Sequence, residues 1–223
     1  MSGAPGPFIF FQIPSTLAKQ AFAFHQSISS SNEHIWPRTE EQVEQFSKDG
    51  ELFGVRRAST GEFVGLCYAT LDGNEWELGG LTVEESTRRS GLGEVLVRFA
   101  LACTIAYQRP WAYAQELVAH VHEANDKPRN LLTRVGFEHV GKVELPGDKA
   151  PASMKRNAEG KVVGDIFRFP RNGVAELSSW FAKDFKGTLA DGTTEAIFEV
   201  RPGGLDSIIE ALREAAEDLR QKG

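Results

Sequence analysis

Leu81-Thr82-Val83-Glu84-Glu85-Ser86-Thr87-Arg88-Arg89-Ser90-Gly91-Leu92-Gly93 is the stretch on which the reading of this chain turns. It passes from an apolar strand into a basic, glycine-bearing loop and then into a helical pattern, with Leu92, Val95, Leu96, Phe99 and Cys103 three and four residues apart. A helix start leaves about four backbone N–H groups without an intrahelical acceptor and carries the positive end of the helix dipole. Glycine at 91 and 93 clears the approach to those amides. Arg88 and Arg89 add charge, and guanidinium groups hold phosphate oxygens in pairs. By its chemistry the loop is a phosphate or pyrophosphate site; the plainer alternative is a tight turn with solvated arginines. The glycine spacing and the missing Lys-Ser/Thr pair exclude a Walker loop, and the dinucleotide fingerprint Gly-x-Gly-x-x-Gly is not matched either.

Working outward, residues 75–83 form the strand that feeds the loop, after a turn at Asp72-Gly73-Asn74. Residues 51–58 and 62–71 are strand-like and joined by Ser59-Thr60-Gly61, hence a hairpin. Residues 8–13, between two prolines, read as a first strand. Residues 15–28 carry apolar side chains at helical intervals, with Ser15 as cap. Thr39, with Gln42 three residues on, opens a second helix as a capping box. Beyond the loop, the long helix runs to about residue 108. Residues 116–121, 137–143 and 165–169 read as strands, and 128–135 as a short helix stopped by Gly136. This alternation predicts an α+β fold: a central, mostly antiparallel, twisted mixed sheet flanked by helices over residues 1–170. Residues 171–223 read as helix, strand and amphipathic helix, an extension packed on the core.

With 41% hydrophobic and 25% charged residues, the 223-residue chain has the composition of an ordinary soluble domain with a real core. The net charge of −6 argues against nucleic acid as a partner. No apolar run approaches membrane-span length. Two cysteines, Cys67 and Cys103, are too few for a disulfide framework and lie in apolar patterns. Together these features predict a cytoplasmic protein with no membrane partner. The amphipathic C-terminal helix can cover the core or pair two copies as a homodimer.

At two places the chain resembles the GNAT acetyltransferase family. The family's Arg/Gln-x-x-Gly-x-Gly/Ala signature follows a strand of pattern Glu-Leu-x-x-Leu-x-Val. Here Glu77-Leu78-Gly79-Gly80-Leu81-Thr82-Val83 precedes Arg88 to Gly93. The second signature, Asn-x-x-Ala-x-x-Leu-Tyr-x-x-x-Gly-Phe, has its counterpart from Asn125 to Phe137. The resemblance covers residues 8–169. It implies acetyl-CoA as co-substrate, with the pyrophosphate held by backbone amides from Arg89 through Ser90, Gly91, Leu92 and Gly93 to Glu94, beside Arg88. It further implies that Leu81 and Val83 pair with the pantetheine arm like an added strand. Asn125 would contact the cofactor near its thiol, and Arg129 the adenosine or phosphates. Two positions depart from the pattern: the small alanine is Pro128, and the tyrosine that often reprotonates the thiolate is Leu132.

Acyl transfer needs a neutral amine, and at pH 7 an amine of pKa near 10 is neutral in only about one molecule per few thousand. A general base titrating near the working pH therefore helps, and the developing oxyanion needs a donor, which the family supplies from the backbone near Val83. Glu77 is the first candidate base. Glu75, two residues away on the same strand face, can serve as the base instead, or the pair can attract a cationic substrate. His122, close to Asn125, is the second catalytic candidate. His120 shares its strand face with His122, but no third ligand is in sight and no metal is expected. Trp36, before Pro37 in an inter-helix loop, is the candidate substrate-facing aromatic. A long loop over residues 146–161 precedes the last strand of the core. The acceptor expected is a primary amine of a small molecule or peptide. The alternative from the same residues is an acyl-CoA-binding regulatory or interaction module with weak or no catalysis, motivated by Leu132 and the extension.

Overall fold

The computed structural model describes residues 6–88, 90–145, 148, 150–200 and 203–221, with only the backbone at Tyr113. Eight strands form one sheet: β1 (Phe8–Gln12), β2 (Leu52–Arg57), β3 (Phe63–Asp72), β4 (Glu75–Val83), β5 (Glu116–His122), β6 (Glu138–Leu145), β7 (Val162–Phe169) and β8 (Ala196–Glu199). Their spatial order is β6-β7-β5-β4-β3-β2-β1-β8. All neighbours are antiparallel except β4–β5 and β1–β8. The helices are α1 (Ala18–Ser29), α2 (Glu40–Lys48), α3 (Leu92–Gln108), α4 (Asp126–Val135), α5 (Gly173–Ser179) and α6 (Gly204–Gln221). The predicted mixed, mostly antiparallel sheet is the one observed.

Several local expectations need adjusting. Ser15 does not cap α1; it opens a short 3₁₀ turn, and the helix begins at Ala18 behind an N-cap, Leu17, with no side-chain bond. β5 extends through His122, which is therefore the last strand residue and not a loop residue. α4 starts at Asp126, so Pro128 is its third residue, where the absent N–H still breaks no intrahelical bond. The capping box is present in full: the Gln42 N–H donates to Thr39 Oγ1, and the Thr39 N–H to Gln42 Oε1. Such a cap is worth about 1 kcal/mol.

α3 departs furthest from its pattern. The stripe Leu92, Val95, Leu96, Phe99 and Cys103 is buried, but so are Val97, Arg98, Leu101, Thr104 and Ile105 on the other side. The helix is enclosed because its inner face lies on the sheet and its outer face under α5 and α6. Val174, Leu177, Phe181, Ile208, Leu212 and Ala216 from the last fifty residues belong to the same apolar core as Phe53 and Phe99. β8 adds a parallel strand to β1, pairing Phe8 with Ala196 and Phe11 with Glu199. The Phe198 ring lies 5.2 Å from that of Phe10, 5.3 Å from Phe99 and 5.4 Å from Phe185. Aromatic pairs of this kind add about 0.5–1.5 kcal/mol each beyond their burial.

Candidate active site

The site begins where the sheet opens. β4 and β5 run parallel and pair only from Glu75–Glu116 to Glu77–Val118; beyond that the two strands part. The cause is local to β4. Its ladder with β3 slips at a bulge, where Leu66 faces Thr82 but Tyr68 already faces Gly79. Gly80 sits at φ +61°, and a Cβ there would lie 2.4 Å from the Tyr68 ring. A Cβ on Gly79 would lie 2.5 Å from the Tyr68 hydroxyl. The two glycines thus make room for a buried phenol, and the strand bends away from β5.

The resulting cleft has a volume of about 560 Å³. Leu81, Asn125, Leu131 and Leu132 line it toward the glycine loop, and Glu77, His120, Tyr68, Arg38 and Trp36 toward the other side. The backbone of β4 is turned correctly to receive an extended ligand. The Glu84 N–H bonds Val64 O on the β3 side, so strand alternation points the N–H groups of Val83 and Leu81 into the opening. The Val83 carbonyl is met loosely by Arg88 Nε at 3.4 Å.

At the head of α3, Gly91 has φ +85° and caps the helix in a left-handed conformation. Among the described residues the amides of Gly91 and Gly93 meet no protein acceptor, whereas Glu94 N–H is taken by Gly91 O at 3.0 Å and Leu92 N–H by Ser90 Oγ at 3.4 Å. A Cβ on Gly93 would touch only Leu131 and Val83 at ordinary van der Waals distance, so packing alone does not demand glycine there. Amides with no acceptor among the described residues, and glycines that leave room beside them, fit a pyrophosphate. The Arg88 side chain is extended beside Glu85 at 3.6 Å. Arg89 lies outside the described residues. Gly91 is itself gripped from outside: Ala190 N–H donates to Ser90 O at 2.9 Å, and a Cβ on Gly91 would lie 2.8 Å from Ala190 Cβ.

The remaining candidates separate into two groups. Glu77 and His120 face each other, Oε1 to Nδ1, at 3.8 Å. The Glu77 carboxylate raises the His120 pKa above its usual value, burial opposes this, and Glu75 and Asp72 reinforce it. Burial alone would raise Glu77, but contact with His120 and the charge of Arg38 outweigh it and hold the carboxyl below its usual range. Glu75 acts on His120 only by charge and does not line the cleft.

His122 is held differently. Its Nδ1 accepts the Ala124 N–H at 3.1 Å, which leaves the proton on Nε2, donated to the Lys155 carbonyl at 2.9 Å. Both ring nitrogens are engaged, and the ring packs at a tilt against His34, with centroids 4.9 Å apart. His122 thereby anchors the loop before β7 to the end of β5. The same loop meets the α1–α2 connection again where Lys155 N–H bonds Glu33 O, and Trp36 packs on Ala150, Met154 and Val162. Arg129 reaches inward, with Nε 3.0 Å from the buried carboxylate of Asp165, which His139 also contacts at 3.0 Å. Leu132, in the family's tyrosine position, is buried in the core. Cys67 and Cys103 are buried and free, and burial pushes both thiols up, away from nucleophilic use. Among the described residues no three metal-ligating side chains converge.

Sequence reading passed over Arg38 and Tyr68 and gave His120 no catalytic part. Only the shared face of His120 with His122 on β5 hinted at it.

The acetyltransferase (GNAT) family model matches residues 21–137. The chain belongs to this family. Among solved structures, ribosomal-protein-S18-alanine N-acetyltransferase from Escherichia coli superposes with a TM-score of 0.52 at 16% identity, over 73% of this chain and 93% of that one. Arabidopsis thaliana NAA60, in complex with a bisubstrate analogue, gives 0.54 at 14% identity, over 73% and 97%. Diaminobutyrate acetyltransferase EctA from Paenibacillus lautus, with L-2,4-diaminobutyric acid and coenzyme A, gives 0.53 at 11%, over 74% and 97%. At these identities the likeness speaks for the fold. No curated protein matches by sequence. Among the described residues no helix is long and apolar enough to cross a membrane.

Proposed function

We propose that this protein is an N-acetyltransferase that moves the acetyl group of acetyl-CoA to a primary amine of a small molecule or peptide, both bound at once. The observation that carries the reading is the Glu77–His120 pair on the wall of the cleft where β4 leaves β5. Acetyl-CoA supplies the activated acyl group; a C–N bond replaces the C–S bond and the thiol is released. Leu81 and Val83 amides hold the pantetheine arm, the Gly91 and Gly93 amides the pyrophosphate, and Asn125 borders the thiol end.

Within the pair, the imidazole is the better proton acceptor. A carboxylate held below its usual range is a weakened base, whereas a histidine held above its usual value is a strengthened one. His120 therefore takes the proton of the attacking amine, and Glu77 orients the ring and stabilises its charged form. His122, with both nitrogens bonded, serves the architecture of the acceptor wall. Two free, buried thiols suit a cytoplasmic setting.

The test is release of free thiol from acetyl-CoA against a panel of amines and peptides, after calorimetry with CoA. Sustained release with one acceptor class is expected, and Glu77→Gln should lower kcat by about 10²–10⁴-fold with little change in CoA affinity. Unchanged kcat in that variant removes Glu77 from the mechanism. Tight CoA binding with no turnover by any acceptor would instead favour an acyl-CoA-binding module, the reading that the buried Leu132 supports.

A further inference from the structure

We propose that the acceptor is an amino acid, its carboxylate held by Arg38 and its amino group presented to His120 and Glu77. This rests on the transferase reading for the acetyl step, but not for the binding of the carboxylate.

Arg38 stands just before the Thr39 cap of α2, and its guanidinium lines the cleft. The group lies against a pair of packed rings, 4.7 Å from the centroid of Tyr68 and 5.9 Å from that of Phe46. One terminal N–H group donates to the Tyr68 hydroxyl, and Nε is buried without any hydrogen-bond partner among the described residues. No described carboxylate pairs with it.

Its surroundings supply no countercharge at contact distance. His25, beneath it on α1, is 2% exposed, and burial, then the charge of Arg38, push its pKa down, so the ring is neutral. The Tyr68 phenol is pushed up to about 12 by burial first and the Glu77 charge second, so it too is neutral. Phe46 and Gln42 carry no charge. Glu77 feels Arg38 only through space, without an ion-pair contact. A guanidinium stripped of part of its water and given no anion is best satisfied by a planar carboxylate that accepts two N–H groups at once.

The spacing suits a small zwitterion. Tyr68, which Arg38 holds, faces Gly79, and Thr70 faces Glu77 on the same side of the sheet. Those positions are two residues apart, about 7 Å from Cα to Cα along the strand. An amino acid lying in the cleft that Arg38, Glu77 and His120 line together would make a charge-assisted hydrogen bond of about 2.8 Å at each end. Its side chain then faces Ile35, Trp36, Leu145 and Met154, which line the rest of the cleft. A peptide N-terminus has an amide where this geometry asks for a carboxylate.

The experiment is calorimetry of the twenty free amino acids on the CoA-loaded protein, each beside its carboxamide and its decarboxylated amine. At least one amino acid should bind about 10–100-fold more tightly than its own amide, the range for a hydrogen-bonded charge. Arg38→Gln should bring that acid down to the level of the amide, and Arg38→Lys should restore part of the difference; circular dichroism confirms that both variants fold. If no acid is preferred to its amide, or if the preference survives Arg38→Gln, the proposal fails. A preferred amino acid that is bound but never acetylated leaves the Arg38 subsite standing and removes the transferase reading.

Discussion

The two edges of β4 make a comparison within one strand. Toward β3 it is paired from Glu75 to Val83, interrupted only by the bulge at Gly79–Gly80. Toward β5 the pairing stops after Glu77, and the backbone groups of the last residues face an opening. Both edges belong to the same residues, whose side chains project from the faces of the sheet, so composition does not explain the difference. Two consecutive glycines and one buried tyrosine do. A sheet whose hydrogen bonds are all internal is stable but inert; releasing one seam over half its length turns the same backbone into a binding surface.

The largest effect should come from the loop at the head of α3. Gly91→Val forces a β-branched residue to φ +85° and drives its Cβ toward Ala190, 2.8 Å away. Strain of about 1–3 kcal/mol and a displaced loop should lower kcat/KM for acetyl-CoA by about 100-fold or more. The β3–β4 ladder should stay intact by circular dichroism, and an unaltered kcat/KM would mean that the loop does not seat the cofactor.

Proline can be used to strike each edge in turn. Thr82 and Val83 are adjacent, but alternation sends their N–H groups to opposite sides. Thr82→Pro removes a ladder bond and should destabilise the fold by about 3 kcal/mol, read as a lowered Tm. Val83→Pro should cost much less stability and raise the Kd of CoA by about tenfold, the loss of one hydrogen bond. Equal losses of Tm in the two variants would break the comparison.

The smallest effect concerns pH. The His120 pKa is raised in the folded protein, chiefly by Glu77, so the neutral ring that accepts a proton prevails only above that raised value. Activity should therefore rise with pH on a limb lying above the ordinary histidine value. Glu77→Gln withdraws the negative charge and should move the limb of kcat/KM to lower pH, measured on the residual activity. A limb that stays in place means that another group sets it.

Much of this was legible in the sequence because it is encoded by neighbours. The strands, the Thr39 cap and the loop from Arg88 to Gly93 all depend on residues a few positions apart. The glycine loop in particular advertises itself, since amides that bind an anion come from consecutive residues. What escaped depends on distant ones. Arg38 meets Tyr68 thirty positions away. His120 and His122 look equivalent on their strand; a carbonyl thirty-three residues off, at Lys155, engages one and leaves the other to Glu77. The amphipathic stripe of α3 likewise foretold one buried face, because the cover for the other lies in α5 and α6, more than sixty positions downstream.

β8 also bears on how the molecule is made. β1 leaves the ribosome well before β8, with Phe10 and Phe11 among its five residues, and it pairs with β2 long before that. Its second edge has no mate until residues 196–199 emerge. Until then a strand rich in phenylalanine presents an open row of amides and carbonyls, the kind of edge on which chains stick to one another. The Ser90 carbonyl likewise waits for Ala190. Nascent chains stopped near residue 170 should therefore need chaperones to stay in solution, because the mates of this edge and of the Ser90 carbonyl have yet to emerge.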